Sequence, residues 1–130
     1  MQDRENEELY TENILDKSKD YSFDLKLSDN VRDYVCGKGT NPSCGDMGDM
    51  YFLIEGNKVK DIRLKKEGCA ISLASMVMLS EKLIGKSLED VKSLTPGDIY
   101  NMLGVKISPS RSGCALLSYN ALEDFLKNRK

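Results

Sequence analysis

Four cysteines are the side chains of this 130-residue sequence best suited to chemistry, because the sequence contains no histidine. The absence of histidine excludes catalysis in which an imidazole activates a serine or cysteine nucleophile. It also removes the commonest metal ligand, so a metal site here must use thiolates and carboxylates. In a reducing compartment, an even number of cysteines indicates metal or thiol chemistry before disulfides.

The cysteines occur at positions 36, 44, 69 and 114 and are widely spaced. No Cys-x-x-Cys pair is present, so the sequence lacks the local signature of a thioredoxin-type redox motif or a zinc ribbon. Any site that joins several of these cysteines must therefore be assembled by the tertiary fold.

Three of the cysteines share a local context, because each lies beside a glycine at a predicted loop or strand end. The contexts are Cys44-Gly45-Asp46, Gly68-Cys69 and Gly113-Cys114. Glycine lets the backbone approach a bulky ligand closely, and the start of a predicted helix at the last two favours a thiolate. Burial as a small apolar side chain is the alternative for each cysteine taken singly. Their shared context indicates a common site.

Asp46 lies two residues after Cys44, a spacing that can direct both side chains into one space. A carboxylate is a harder ligand than a thiolate, so three thiolates and one carboxylate would hold iron or zinc less completely than four thiolates. Incomplete holding suits a site that releases what it binds. Taken alone, Asp46 is better interpreted as a solvated turn residue.

The elements that must position these residues follow from the hydrophobic pattern. The first half of the chain predicts a short amphipathic helix over 5–17 and then a linker or poorly paired edge strand over 20–33. A strand at 34–36 is followed by a loop over 37–43. A β-hairpin then joins strands at 50–55 and 59–65 through the turn Gly56-Asn57. The second half predicts a helix over 71–84 ended by Gly85, two short helices capped by Ser87 and Thr95, the second ending at Gly104, and a C-terminal helix over 114–127.

This order of elements does not alternate strands with helices, which predicts an α+β fold with a small antiparallel sheet covered by helices on one face. The length fits a single domain over residues 1–130, in which 1–33 form the N-terminal helix and a loosely structured segment.

Charge and hydropathy exclude several classes of partner. The 19 Lys and Arg residues against 21 Asp and Glu residues leave a net charge of -2, so no basic field would gather nucleic acid or anionic lipid. The apolar runs are far shorter than the roughly 20 residues that span a bilayer. The first residues also lack the apolar core of a secretory signal. We therefore expect a cytoplasmic protein with no nucleic-acid or membrane partner.

Three ordered motifs resemble those of the U-type iron–sulfur cluster assembly scaffolds, the family of IscU, SufU and the N-terminal domain of NifU. The motifs are Asn41 to Asp46, Gly68 to Ser75 and Arg111 to Leu117, within a match from about 41 to 127. The resemblance implies a three-stranded antiparallel sheet with helices packed on it, which agrees with the pattern above. It also implies that Cys44, Cys69 and Cys114 are cluster and zinc ligands, and that Asp46 is the aspartate that loosens cluster retention.

The sequence departs from the IscU type immediately before the third cysteine, where Gly113 replaces a histidine. The fourth ligand is then Asp46, Cys36, a residue of a partner or an exogenous thiol. Cys36 has no counterpart in the family motif, and an apolar strand residue is its alternative interpretation.

Two further departures leave the subtype open. The segment 105–109 replaces the Leu-Pro-Pro-Val-Lys sequence that a dedicated chaperone reads in the IscU type. Arg111 lies three residues before Cys114, as an arginine does in the SufU type, and is a candidate to assist sulfur or partner binding. The insertion that the SufU type carries between its second and third cysteines is missing here.

The resemblance implies a non-catalytic scaffold rather than an enzyme. A cysteine desulfurase would supply persulfide sulfur, iron would enter the same site, and a [2Fe–2S] cluster would form and pass to apo iron–sulfur acceptor proteins. A homodimer around the cluster would supply missing ligands. The alternatives are a zinc-bound sulfurtransferase, in which one thiolate leaves the metal to accept sulfur, and a purely structural zinc domain.

Overall fold

The computed structural model describes residues 12–41 and 45–129. Its sheet has three antiparallel strands in the order β1-β2-β3. The strands are β1 (Val35–Asn41), β2 (Asp46–Glu55) and β3 (Lys58–Glu67). The helices are α1 (Glu12–Ser18), α2 (Ala70–Leu83), α3 (Leu88–Lys92), α4 (Pro96–Leu103), α5 (Ser112–Ala115) and α6 (Leu117–Asn128), with a 3₁₀ turn at Pro109–Arg111. The predicted α+β class with a small antiparallel sheet is confirmed.

Strands β2 and β3 form the predicted hairpin. The two turn residues, Gly56 and Asn57, have positive φ angles of 58° and 63°. A two-residue turn with positive φ at both positions matches the right-handed twist of its strands, which explains the Gly-Asn pair. The register set by this turn shifts once, at a bulge between Leu53 and Ile54, before the strands continue toward the opposite end of the sheet.

Side chains alternate between the two faces of the sheet, and one face is buried beneath helices. The inward residues Met50, Phe52, Ile62 and Leu64 are at most 1% exposed. Helix α6 lies along β1 and β2, and its Phe125 ring stacks on Phe52 with the ring centroids 4.1 Å apart. Because Asp46 has the same parity along β2 as Met50 and Phe52, it also points toward the helices.

Strand β1 is longer than predicted, because the segment Gly37 to Asn41 is paired with β2 and is not a loop. Its two glycines face α6. A Cβ atom at Gly37 would lie 2.0 Å from the carbonyl oxygen of Ala121, and one at Gly39 would lie 2.4 Å from that of Leu117. The glycines therefore serve the close approach of helix to strand, and their interpretation as turn formers was wrong.

The predicted helix over 114–127 is two helices. Leu116 separates α5 from α6 with φ -91° and ψ 6°, outside the helical region. This break allows α5, which carries Cys114, to contact α2 while α6 lies along β1.

The segment predicted as a linker or a poorly paired edge strand makes one parallel bridge to β3, between Asp24 and Leu64. Its backbone is held there by hydrogen bonds of 2.8 Å on both sides of Leu64. The Lys66 side chain, which is 3% exposed, pairs with the Asp24 carboxylate and lies over the ring of Tyr21. Backbone hydrogen bonds and the Lys66 side chain together hold this segment at the edge of the sheet.

The predicted helix boundaries are confirmed between α2 and α4. Gly85 follows α2 with φ 85°, and Gly104 ends α4 with φ 70°. The Ser87 side chain caps α3, and Thr95 forms a reciprocal capping box with Asp98 at the start of α4. The N-terminal helix is described from Glu12 onward, and the earlier part of that prediction lies outside the described residues. Among the described helices, none has the length and apolar character needed to cross a membrane.

Candidate metal centre

Three parts of the fold meet at one end of the sheet. Asn41, the last residue of β1, pairs with Asp46, the first residue of β2. Strand β3 ends beside them, and after Gly68 the chain enters α2 with Cys69 as the N-cap. Helix α5 brings Cys114 to the same place from a distant part of the sequence. This convergence supplies the tertiary assembly that the wide cysteine spacing requires.

Asp46, Cys69 and Cys114 form a compact group of donor atoms, with one carboxylate oxygen and the two Sγ atoms all within 4.8 Å of one another. A tetrahedral ion with Zn–S bonds of about 2.3 Å separates two thiolate ligands by about 3.8 Å, so small side-chain adjustments would place one ion among the three groups. Thiolates with one carboxylate suit zinc or iron. Cys114 and Asp46 are buried, whereas Cys69 is half-buried, which leaves an approach from solvent.

The Asp46 carboxylate is held by donors from the start of α2. The Cys69 backbone N–H donates to Oδ1 at 3.3 Å, and the Ser72 hydroxyl donates to Oδ2 at 2.6 Å. The Cys69 thiol is 3.7 Å from Oδ2. A Cβ atom at Gly68, where φ is +151°, would lie 2.6 Å from Oδ1, so the carboxylate packs directly against this glycine. These contacts keep a costly buried carboxylate satisfied beside the sulfurs.

The Cys114 sulfur has a donor on β1. The Asn41 side-chain Nδ2 donates to Cys114 Sγ at 3.5 Å. A Cβ atom at Gly113 would lie 3.0 Å from Asn41 Oδ1, so the asparagine side chain fills the space beside this glycine. The sequence motif contains Asn41, but residue type and spacing alone did not indicate a role. Its inward parity with Gly37 and Gly39 would have been the signal if the segment 37–41 had been recognised as a strand.

Two of the predicted site residues, Cys44 and Arg111, are not among the three grouped donors. Cys44 lies outside the described residues, between Asn41 and Asp46, which are paired at the site. Arg111 closes the 3₁₀ turn before α5 and is half-buried, three residues before Cys114.

The structure does not bring Cys36 into this group. Cys36 on β1 pairs with Tyr51 on β2 and is five residues from Asn41, which corresponds to about 17 Å along a strand. It also has the opposite parity to Gly37 and Gly39, so its side chain is on the face away from the helices. Burial raises the pKa of the Cys36 thiol, and the nearby Asp49 carboxylate adds to this rise.

Comparison with known proteins identifies the family of the chain. The sequence profile described as the NifU-like N terminal domain matches residues 9–129. The chain belongs to this family. It is 33% identical to the iron-sulfur cluster assembly scaffold protein IscU of Thermotoga maritima over 92% of this chain and 93% of that protein. It is 31% identical to the zinc-dependent sulfurtransferase SufU of Bacillus subtilis over 88% of this chain and 87% of that protein.

A solved structure shares the fold. A protein of Fervidobacterium islandicum described as an iron-sulfur cluster assembly scaffold for the SUF system superposes with a TM-score of 0.73. It is 34% identical in sequence and covers 90% of this chain and 96% of its own. The resemblance drawn from the three motifs is therefore confirmed at the level of the family and of the fold.

Proposed function

We propose that this protein is a scaffold on which a [2Fe–2S] cluster is assembled and then transferred to apo iron–sulfur acceptor proteins. A cysteine desulfurase is the proposed source of persulfide sulfur. The observation that carries the proposal is the convergence of Asp46, Cys69 and Cys114 within 4.8 Å at one end of the sheet. The proposal is also supported by relatives whose names describe iron-sulfur cluster assembly scaffolds.

The ligands at this site suit a cluster that is bound temporarily and then passed on. Iron in such clusters is held by cysteine thiolates, and Cys69, Cys114 and the proposed ligand Cys44 would supply them. Asp46 would complete the set as a harder and more weakly held ligand. Half-buried Cys69 lies where an incoming persulfide or an acceptor thiol can approach, whereas buried Cys114 anchors the opposite side. Conversion of persulfide sulfur to sulfide requires electrons from an external reductant.

A [2Fe–2S] cluster takes four protein ligands across its two irons. Within one chain, Cys44, Asp46, Cys69 and Cys114 make that number. If Asp46 does not bind, the remaining ligand would come from a second protomer in a homodimer around the cluster. We favour both of these over Cys36, which lies on the opposite face of the sheet. We also propose that the whole of 1–130 forms one domain.

A second candidate is a zinc-bound sulfurtransferase, in which the protein is a catalyst. The observation that favours it is the Asn41 side chain beside Gly113, which fills the position where the IscU type carries a histidine. The name of the Bacillus subtilis relative agrees with this alternative. Cys44, Asp46, Cys69 and Cys114 would hold the zinc, which would supply a positive charge that keeps the thiols deprotonated. Arg111 would then assist the approach of sulfur.

Anaerobic reconstitution with iron, sulfide and a reductant, followed by visible absorption and metal analysis, separates these functions. The scaffold proposal expects a [2Fe–2S] spectrum and cluster transfer to an apo acceptor. A protein that keeps one zinc, forms no cluster and still accepts sulfur from a desulfurase would contradict it and support the sulfurtransferase. Zinc retention without cluster formation or sulfur acceptance would leave only a structural zinc domain.

A further inference from the structure

We propose that Ser72 is a positioning residue that holds the Asp46 carboxylate against the two cysteine sulfurs and thereby sets the metal affinity of the site. This inference rests on the proposed role of Asp46 as a metal ligand. Ser72 belongs to the first turn of α2, three residues after Cys69, and its side chain is fully buried. None of the sequence arguments gave it a role.

The Ser72 hydroxyl donates outside its own helix, unlike that of Ser80 on the same helix. A buried serine in a helix commonly donates to a carbonyl of the preceding turn, as Ser80 does to the Met76 oxygen at 2.8 Å. Ser72 instead donates to Asp46 Oδ2 at 2.6 Å, across to strand β2. Because a hydroxyl has a single proton, that proton is committed to the carboxylate. The hydrogen bond therefore restrains the position of the Asp46 carboxylate. It does not contribute to the backbone hydrogen bonding of α2.

Three contacts define the orientation of the carboxylate. Ser72 holds Oδ2, the Cys69 N–H holds Oδ1, and the Gly68 backbone closes the side where a Cβ atom would lie 2.6 Å from Oδ1. Loss of the Ser72 hydroxyl would leave Oδ2 without its shortest hydrogen bond. The carboxylate would then be held only through Oδ1, so it could shift away from the geometry it shares with the sulfurs.

A carboxylate oxygen has more than one lone pair, so a hydrogen bond from Ser72 is compatible with coordination by Asp46. Hydrogen bonds of this kind orient metal ligands, and their loss typically lowers metal affinity by about 10–100-fold. We therefore expect Ser72→Ala to lower zinc affinity by about that factor. Alanine is smaller than serine and favours helices, so the variant is expected to fold.

The test is a zinc competition titration of the complete chain against a chromophoric chelator. Ser80→Ala is the matched control, because Ser80 is equally buried on the same helix but donates to its own helix. We expect weaker zinc binding for Ser72→Ala and unchanged binding for Ser80→Ala. Substitution by Co²⁺ gives a second measurement, since its visible bands report ligand geometry. A changed cobalt spectrum in Ser72→Ala is expected, and a spectrum and affinity equal to the original would overturn the inference.

A double-mutant cycle with Asp46→Ala shows whether Ser72 acts through Asp46. In the Asp46→Ala background, adding Ser72→Ala should not change zinc affinity further. An equal loss in both backgrounds would assign Ser72 a merely structural role and would overturn the proposal. These titrations use zinc and cobalt alone, so failure to assemble a cluster would contradict the scaffold function without affecting this result.

Discussion

The two ends of strand β1 carry cysteine chemistry of opposite kinds. At one end, Asn41 donates a hydrogen bond to the Cys114 sulfur, and Asp46 and Cys69 complete a group of donor atoms. At the other end, Cys36 lies on the opposite face, where burial and a neighbouring carboxylate raise the pKa of its thiol. The comparison shows that the face and the neighbours of a cysteine indicate its chemistry better than its residue type does.

The largest expected effect comes from removing a thiol at the site end. Cys69→Ala or Cys114→Ala should abolish stable cluster binding, because each removes one sulfur from the group. Cys44→Ala should do the same if Cys44 completes the set. Reconstituted cluster content, measured as iron and sulfide per chain, checks this result, with Cys36→Ala as the matched control. Full cluster occupancy in any one of the site variants would remove that cysteine from the ligand set.

The next effect concerns the carboxylate. Asp46→Ala should lengthen the lifetime of the cluster and slow its transfer to an apo acceptor, because the harder and exchangeable ligand is lost. Cluster loss with time and transfer to an apo ferredoxin, both followed by absorption, measure the two rates. If lifetime and transfer both match the unaltered protein, Asp46 is only a buried structural residue at the start of β2.

Much of this arrangement could be predicted from sequence because it depends on local signals. The Gly56-Asn57 turn, the caps at Ser87 and Thr95, and the terminating Gly104 each satisfy backbone needs within a few residues. The resemblance of three ordered motifs gave the family, which the profile match confirms. The order of the elements then predicted the fold class.

The rest depends on contacts between distant segments. Gly37 and Gly39 resemble turn residues in sequence, yet they are strand residues that make room for α6. The break at Leu116 and the Ser72 hydrogen bond to Asp46 also arise from packing between elements. Strand parity would have placed Asp46 inward and Cys36 outward if the start of β2 and the length of β1 had been known. Local composition did not give that length.

A smaller effect is expected where the site differs from the IscU type. Gly113→His alone should destabilise the protein, because a Cβ atom there would lie 3.0 Å from Asn41 Oδ1. The expected cost is about 1–3 kcal/mol, as for other overpacked positions. Combining it with Asn41→Ala should remove the contact and restore stability, as measured by chemical denaturation.

The double variant Gly113→His with Asn41→Ala also tests whether a histidine before Cys114 can serve as a cluster ligand in this protein. The added imidazole should act as a ligand and increase the amount of cluster retained after reconstitution. Asn41→Ala alone is the control, since it removes the donor to Cys114 without adding a ligand. Equal stability of the single Gly113→His variant and the original protein would show that Asn41 does not fill this space.

The smallest effect is expected at Cys36, the other member of the comparison. Because burial and Asp49 raise the pKa of its thiol, the reactive thiolate should form only at higher pH than in an ordinary cysteine. Alkylation of Cys36 by iodoacetamide, followed by peptide mass spectrometry from pH 7 to 10, should therefore rise late. Asp49→Asn should shift the rise to lower pH, because it removes the carboxylate that opposes the thiolate.

Cys36→Ala should retain the cluster, and the molecular mass of the loaded variant shows whether one chain or two hold it. A cluster lost from a folded Cys36→Ala protein would make Cys36 a ligand and end the distinction between the two ends of β1.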